Sequence, residues 1–292
     1  RMRKLRMLIC AVFLFSCVVL VFHLVKTRQL EDHTPPVITC AEDEITVSVS
    51  ADDAALLKGV TAEDDKDGDI TDSVRVSAMT HFIEKGKRTI TYIVFDQANQ
   101  AGTAQRTVLY SDYESPKIYL SEPLRYSLSE RSKANPAEYM TAEDCLDGDI
   151  TKQIRMSLSD DYFNSTAGEY DVTAQVTNSA GDVRVVPLKV TFVDNSNREE
   201  SMKYYPVLSE YIVYTGVDKK LSLGSYITGV KKGNAVYSFE EDGEFLPFTK
   251  SGIDVAHEID YGTPGVYPVE YSYTTEEGIK AVTRLYVVVE EQ

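Results

Sequence analysis

The chain has 292 residues, with 30 basic and 46 acidic side chains, 19 Tyr, no Trp and four Cys. Its 43% hydrophobic fraction is ordinary for a folded chain and excludes wholesale disorder. Four Cys are too few for a small scaffold held together by disulfides. The net charge of −16 argues against a nucleic-acid partner, because phosphate binding needs clustered Lys and Arg.

The N-terminal segment has the composition of a membrane anchor. Residues 7–25 are apolar except for Ser16 and His23, and as a helix they would span about 28 Å, close to the ~30 Å hydrocarbon core of a bilayer. Four basic residues precede this run and two follow it, which favours an N-terminus in the cytoplasm. We therefore expect residues 1–28 to form a cytoplasmic stub and a transmembrane signal-anchor that contacts the membrane through residues 7–25. Residues 29–292, with 24 basic and 46 acidic side chains and a net charge of −22, would lie outside.

Two alternatives to an uncleaved anchor stay open. A cleaved signal peptide usually has an apolar core of about 7–15 residues that ends at a small-residue site, whereas this core is longer and no such site follows. A lipoprotein would use Leu14-Phe15-Ser16-Cys17, with the lipid on Cys17. The bulky Phe15 and the apolar residues that continue to Val25 weigh against the lipoprotein.

The rest of the chain contains an internal repeat with a period of 80 residues. Residues 61–71 (TAEDDKDGDIT) recur as residues 141–151 (TAEDCLDGDIT), with nine of eleven positions identical. Pro36 and Pro116 open the two copies, and each copy continues after a Gly into a run with the period-2 alternation of strands, at residues 86–95 and 168–177. Residues 99–102 and 179–182 are typical of hairpin turns. Pro187 predicts an edge or a bulge in the last strand of the second copy.

A third unit is predicted to start near Pro206, with strands at residues 211–214, 235–239, 266–273 and 281–289. It lacks the Asp-Gly-Asp-Ile-Thr signature, and the polar residues 194–201 precede it as a linker. Outside the N-terminal segment, only residues 52–58 have a helical period. The predicted fold is all-β: tandem immunoglobulin-like β-sandwiches at residues 35–113, 114–194 and 203–292, preceded by one N-terminal transmembrane helix. The third sandwich is a divergent, Tyr-rich one.

The two repeats resemble a known family. Their opening Pro-x-Ile, their central Ala-Glu-Asp-x-x-Asp-Gly-Asp-Ile-Thr and the closing Gly-x-Tyr-x-Val-Thr strand are similar to the bacterial immunoglobulin-like domain of unknown function. That domain also occurs in pesticidal crystal proteins and Gram-positive surface proteins, and it is distantly similar to hyalin-type repeats. The resemblance covers residues 35–194, and it implies a β-sandwich with an extracellular adhesive or spacing role and no catalytic residue.

The Asp-rich loop of each repeat is a candidate calcium site. Hard oxygen ligands crowded in a Gly-containing turn suit Ca²⁺, and the candidate ligands are Asp64, Asp67, Asp69, Asp144, Asp147 and Asp149. The loop does not follow the EF-hand pattern. In the purely structural alternative, Gly68 and Gly148 supply a positive φ, the Asp side chains accept from nearby backbone N–H groups, and Ile70 and Ile150 each begin a buried strand.

The third unit holds 11 of the 19 Tyr. Exposed Tyr faces bind sugars or proteins, so Tyr204, Tyr205 and Tyr226 are candidate ligand-binding residues. Tyr is also a favoured strand residue, and we expect Tyr267, Tyr271 and Tyr273 to share one core face. Cys40 and Cys145 are either free thiols or an inter-repeat bridge.

The sequence predicts a protein that is not an enzyme, since motifs for nucleophilic, zinc or phosphate chemistry are not found. We expect a non-catalytic, single-pass protein of the cell membrane with an extracellular C-terminal ectodomain. It would be a stalk of immunoglobulin-like modules for adhesion or for presentation of a binding unit, with an extracellular protein or glycan as partner. The alternative is a cell-envelope module that binds wall polymer, glycan or calcium. No cofactor other than calcium is expected.

Overall fold

The computed structural model describes residues 2–30, 32–163, 166–239 and 250–291. After one N-terminal helix, these residues form small sheets of three and four strands that repeat along the chain. The chain divides into two units, Arg1–Tyr113 and Glu114–Gln292. The first unit contains the helix and one β-sandwich, and the second contains two β-sandwiches. The fold is therefore tandem immunoglobulin-like sandwiches after an apolar helix, as the sequence predicted.

Helix α1 spans Met2–Leu30, and its 29 residues correspond to a length of about 43 Å. An 18-residue window within it, Ile9–Lys26, is long and apolar enough to cross a membrane, and none of that window is buried. Thirteen large hydrophobic side chains between Met7 and Val25 are each about half exposed or more. Nothing in the described part of the protein covers this helix.

The first sandwich is built from strands β1 to β7 and a short helix, α2. Their bounds are β1 (Val37–Cys40), β2 (Glu44–Val47), α2 (Asp53–Leu57), β3 (Val60–Asp64), β4 (Gly68–Asp69), β5 (Arg75–Glu84), β6 (Lys87–Phe95) and β7 (Ala101–Tyr110), with a 3-10 turn at Thr71–Ser73. One sheet has the order β1-β3-β4 and the other β2-β7-β6-β5. Strand β2 pairs with β7 in parallel, and the other pairs are antiparallel.

The second sandwich repeats this arrangement. Its strands are β8 (Lys117–Leu120), β9 (Arg125–Ser127), β10 (Met140–Asp144), β11 (Gly148–Asp149), β12 (Arg155–Leu158), β13 (Gly168–Thr177) and β14 (Val183–Val193), with 3-10 turns at Leu128–Lys133, Pro136–Tyr139, Thr151–Gln153 and Asp160–Phe163. The sheets are β11-β10-β8 and β12-β13-β14-β9, with β9 parallel to β14. Strand β9 pairs with β14 only at residues 191–193, so Pro187 lies beyond that pairing, at a local edge, as predicted.

The third sandwich has the same strand order although its sequence has diverged. Its strands are β15 (Tyr205–Leu208), β16 (Ile212–Gly216), β17 (Ile227–Lys232), β18 (Ala235–Ser238), β19 (Asp254–His257), β20 (Gly265–Thr274) and β21 (Lys280–Glu290), with 3-10 turns at Glu200–Met202, Leu223–Tyr226 and Lys250–Gly252. The sheets are β15-β17-β18 and β16-β21-β20-β19, with β16 parallel to β21. The third unit therefore matches the other two in topology, strand for strand.

Period-2 alternation explains which side chains form the cores. In β6, Ile90, Tyr92 and Val94 are fully buried, while the residues between them face outward or are half-buried. The predicted common face of β20 is only partly in the core: Tyr271 is fully buried, and Tyr267 and Tyr273 are half-buried against it.

One local prediction is wrong. Ile70 and Ile150 do not begin strands, because each is followed at once by a 3-10 turn. In each copy the Thr side chain after the Ile, Thr71 or Thr151, accepts a hydrogen bond from a backbone N–H of the preceding strand at 3.0 Å. That bond holds the chain in a tight turn where a strand would otherwise start.

The second and third sandwiches share a single hydrophobic core. The Tyr214 hydroxyl accepts from the Ile118 N–H at 2.6 Å and donates to the Ile118 carbonyl at 2.9 Å. The Tyr286 hydroxyl accepts from the backbone N–H of Lys189 at 2.8 Å. Arg284 lies 2.5 Å from Glu169. Residues of the third sandwich therefore complete the hydrogen bonding of the second.

Candidate functional site

The Asp-rich loops form the same hairpin in both copies. In the first, one oxygen of Asp64, Oδ2, accepts from the backbone N–H groups of Lys66 and Asp67 at 2.8 and 3.0 Å. In the second, Asp144 Oδ1 accepts from Leu146 and Asp147 at 2.9 and 3.1 Å. These N–H donors favour the ionised form and lower the pKa of Asp64.

The glycine of each loop has the positive φ that the sequence predicted. Gly68 has a φ of 71° and Gly148 a φ of 69°. Space is open around both positions, so the left-handed backbone alone requires glycine there.

The other predicted calcium ligands are used inside the hairpin. Asp69 Oδ1 accepts from the Thr71 N–H at 3.0 Å, and Asp149 makes the same bond to Thr151 at 2.9 Å. Contacts with Thr71 and Thr151 lower the pKa of the two carboxyls.

Asp67 and Asp147 join each loop to the neighbouring turn. Asp67 Oδ2 accepts from the Gln97 N–H at 2.7 Å, and Asp147 accepts from the backbone N–H and hydroxyl of Ser179, both at 2.6 Å. The predicted ligands therefore hold two turns together, and calcium binding by all six of them stays a prediction.

A different set of carboxylates comes together in the first sandwich. Asp32, Asp64 and Asp96 each bring one carboxylate oxygen to within 4.8 Å of the others. Asp64 and Asp96 are buried, with 8% and 6% of their surfaces exposed. Sequence reasoning selected Asp64 but missed Asp32 and Asp96, because they lie 32 residues to either side of it and outside the repeated motif.

The three candidate ligand-binding tyrosines are half-buried. Tyr204 lies edge-on to Tyr273, and the Lys232 ammonium is 4.4 Å from the centre of its ring. The Arg125 guanidinium lies 3.4 Å from the ring centre of Tyr205. Burial raises the pKa of both Tyr205 and Tyr226. The three side chains do not line one common pocket among the described residues.

Tyr205 does line a cleft in the second unit, where the second and third sandwiches meet. The cleft has a volume of about 560 Å³, and its other polar lining residues are Glu122, Arg125, Tyr139, Asn195, Glu200, Ser201, Lys203, Lys231 and Asn234. Arg125 donates to the Val282 carbonyl at 2.9 Å, so it is held in place by the third sandwich. The sequence gave no signal for this cleft, because its walls come from segments far apart in the chain.

The thiols of Cys40 and Cys145 are free. Cys145 Sγ donates to the Glu114 carbonyl at 3.1 Å. Burial raises the pKa of this thiol and disfavours its thiolate at neutral pH.

Fold and loops define a protein of tandem immunoglobulin-like sandwiches. Residues 42–109 match the family described as "Bacterial surface protein, Ig-like domain". The expected resemblance is thereby confirmed for the first sandwich. Asp64 and Asp96 lie inside the matched range, and Asp32 lies outside it.

A curated relative supports the same assignment. The chain is 27% identical over 143 residues to the pesticidal crystal protein Cry22Aa of Bacillus thuringiensis, which covers 47% of this chain and 19% of the relative. The chain therefore corresponds to about a fifth of that protein.

Solved structures with similarity to the chain are distant. One contains the CBM51-2, in complex with GlcNAc, and INT domains of Clostridium perfringens ZmpB; it is 19% identical, covers 51% of this chain and 26% of the other, and has a TM-score of 0.22. Another is the lipoprotein BT2262 of Bacteroides thetaiotaomicron, at 12% identity, 85% and 98% coverage and a TM-score of 0.18. Neither similarity carries a conclusion about ligands.

Proposed function

We propose that this protein is a membrane-anchored bacterial surface protein whose immunoglobulin-like sandwiches form a non-catalytic stalk for adhesion or for presentation of a binding unit. The observation that carries the proposal is the uncovered apolar surface of α1. Fully burying a large aliphatic or aromatic side chain gains about 1.5–3 kcal/mol. For the thirteen exposed ones in α1, the gain from lipid amounts to roughly 20 kcal/mol or more.

The charge distribution supports one orientation. The basic residues that precede the helix favour a cytoplasmic N-terminus. The acidic remainder, with its −22 net charge, would then lie on the outer face, where it stays soluble and repels other acidic surfaces. The match to a bacterial surface-protein family agrees with this placement.

The anchor is tested on the full chain with a C-terminal epitope tag, expressed in a bacterium. We expect the protein to resist extraction by alkaline carbonate, to keep its residues before Met7 in the mature form by mass spectrometry, and to lose the tag when intact spheroplasts are treated with protease. A mature chain that starts after Val25 would show that α1 is a cleaved leader. A tag that stays protected would reverse the orientation.

A paired substitution provides the control. Arg at both Leu14 and Val18 costs about 5–7 kcal/mol at the centre of a membrane helix and should release the protein into the carbonate extract. Val236→Arg places the same side chain on an exposed position of the third sandwich and should leave the protein in the membrane fraction. Equal retention of both variants would refute the proposed span.

The cleft favours a second candidate function, the binding of an envelope glycan. Polar groups of both signs beside an aromatic ring suit the hydroxyls and ring faces of a saccharide. On a glycan array probed with the full chain, Lys231→Ala in the cleft wall should reduce the signal, whereas Lys219→Ala, exposed outside the cleft, should not. An array on which the unaltered chain gives no signal, or both variants behave alike, would exclude the cleft as a glycan site.

A further inference from the structure

The cluster of Asp32, Asp64 and Asp96 contains a buried oxygen without a hydrogen-bond partner. Asp64 uses Oδ2 for both of its backbone bonds, and its Oδ1 is buried and unpaired. A buried carboxylate oxygen without a donor is costly, and the two neighbouring carboxylates add repulsion to that cost. The arrangement lacks positive charge at one point, the point where the three carboxylates meet.

The second sandwich shows how the same loop is completed without a third charge. There the second oxygen of Asp144 accepts from the amide Nδ2 of Asn178 at 3.0 Å. Asn178 occupies the position of Asp96, because each follows the long strand of its sandwich and opens the same turn: the Asp96 N–H donates to Gln100, and the Asn178 N–H to Asp182. In the first sandwich a carboxylate therefore replaces the amide, and the donor to Asp64 is lost.

We propose that Asp32, Asp64 and Asp96 bind one divalent cation, Ca²⁺, in the first sandwich, and that the second sandwich has replaced this site with a hydrogen bond. Three carboxylates are hard oxygen ligands of the kind that Ca²⁺ prefers. Two oxygens on opposite sides of a Ca²⁺ lie about 4.8 Å apart, and about 4.1 Å apart across the smaller Mg²⁺. The separation limit of 4.8 Å among the three oxygens corresponds to the larger ion.

Two other groups contact the acidic residues concerned. The Lys66 ammonium lies 3.9 Å from Asp32 Oδ1, so it competes with the cation for that carboxylate. Asp112, 80 residues after Asp32, instead accepts from the Ser48 hydroxyl and the Val49 N–H at 2.6 and 2.7 Å. The third carboxylate is thus engaged elsewhere in the repeat that carries Asn178.

The position of Asp32 gives the cation a mechanical role. Asp32 lies two residues beyond Leu30, the end of α1, whereas Asp64 and Asp96 belong to the body of the first sandwich. A shared cation would fasten the segment that follows the apolar helix to this sandwich. Its release would loosen the chain at that point.

Calorimetric titration of the full chain in detergent micelles, stripped with a chelator and then titrated with CaCl₂ or MgCl₂, tests the site. We expect one Ca²⁺ per chain, a higher melting temperature with Ca²⁺, and weaker binding of Mg²⁺. Asp96→Asn and Asp32→Asn should each weaken Ca²⁺ binding at least about tenfold, because the affinity of such sites follows the charge of the ligands. Lys66→Gln should tighten it.

Asp96→Asn has a second expected effect that separates a cation site from a general loss of charge. In chelator it should melt at a higher temperature than the unaltered chain, because the new amide donates to Asp64 as Asn178 does to Asp144. Asp65→Asn, an exposed change in the same loop with the same charge difference, should leave the affinity within about twofold.

Three results would overturn the proposal: no heat and no melting shift with Ca²⁺, equal losses of affinity in Asp65→Asn and Asp96→Asn, or a chelator-treated Asp96→Asn variant that melts below the unaltered chain. Mg²⁺ binding as tight as Ca²⁺ binding would overturn the assignment to Ca²⁺.

Discussion

The Tyr214 hydroxyl is the point at which the third sandwich completes the edge of a sheet in the second, and its removal is our principal prediction. Strand β8 is an edge strand, with β10 on one side only. On its open side, both backbone groups of Ile118 bind the single hydroxyl of Tyr214. Burial raises the pKa of this phenol, which therefore stays neutral and serves as donor and acceptor at once.

Tyr214→Phe removes both bonds and keeps the ring. A hydrogen bond contributes about 0.5–1.5 kcal/mol net, and leaving a buried partner unpaired costs about 1–3 kcal/mol. Water reaching the edge would recover part of the loss, so we expect a cost of about 2 kcal/mol for the pair. For a unit the size of Glu114–Gln292, each kcal/mol lowers the melting temperature by about 2–4 °C, which gives a fall of about 4–8 °C.

The measurement is thermal unfolding followed by circular dichroism, with hydrogen exchange by mass spectrometry to assign the transition to the second unit. Tyr226→Phe is the matched control: this phenol is also half-buried in the third sandwich, and its removal should change stability by less than about 0.5 kcal/mol. Faster exchange should be seen at residues 117–120 in Tyr214→Phe alone. Equal melting temperatures for the two variants would refute the interface.

The remaining predictions concern the cores and the loops. Tyr126→Phe should be neutral or stabilising by about 1 kcal/mol in urea unfolding, because the hydroxyl it removes is buried without a partner; a loss of stability would show that a partner exists. Gly102→Ala should destabilise the first sandwich by about 3 kcal/mol or more, since its Cβ would lie 2.1 Å from the Pro36 carbonyl oxygen, while Gly224→Ala, with open space around it, should melt within about 2 °C of the unaltered chain. Stability should fall as pH drops below about 3.8, because the folded-state pKa values of Asp69 and Asp149 lie below that unfolded value: their contribution is complete above pH 3.8 and is lost as pH falls through the lower folded pKa. Asp149→Asn should flatten this dependence in urea titrations at pH 5 and pH 3, and an unchanged slope would contradict the assignment.

The sequence predicted the features that depend on neighbouring residues. The duplicated Asp-Gly-Asp-Ile-Thr motif forms the same hairpin twice because its Asp side chains bond to N–H groups two or three residues away. Strand β13 was predicted for the same reason, since its alternation is a local property. The strands of the third unit were also found from alternation, although the motif is missing there.

Features that depend on distant residues could not be predicted in this way. Asp32 and Asp96 reach Asp64 only because β1, β3 and the turn after β6 come together in the fold, and nothing in the spacing of 32 residues marks them. The bond from Tyr214 to Ile118 spans 96 positions. The error at Ile70 and Ile150 had a local origin: an apolar residue after a turn resembles the start of a strand until the following Thr forms its backbone bond.

The abundance of Tyr in the third unit has a physical explanation in the second. A phenol fills apolar space with its ring and satisfies a backbone group with its hydroxyl, whereas Phe can do only the first. Tyr214 and Tyr286 both bond to backbone groups of the second sandwich, and burial raises the pKa of Tyr286 to about 12. Two sandwiches that share a core must seal their facing sheet edges, because each unpaired buried N–H would cost free energy comparable to a lost hydrogen bond. Tyrosine meets both needs at once, so a composition that resembles a ligand-binding surface in the sequence is, at these positions, part of the packing that makes the two sandwiches one unit.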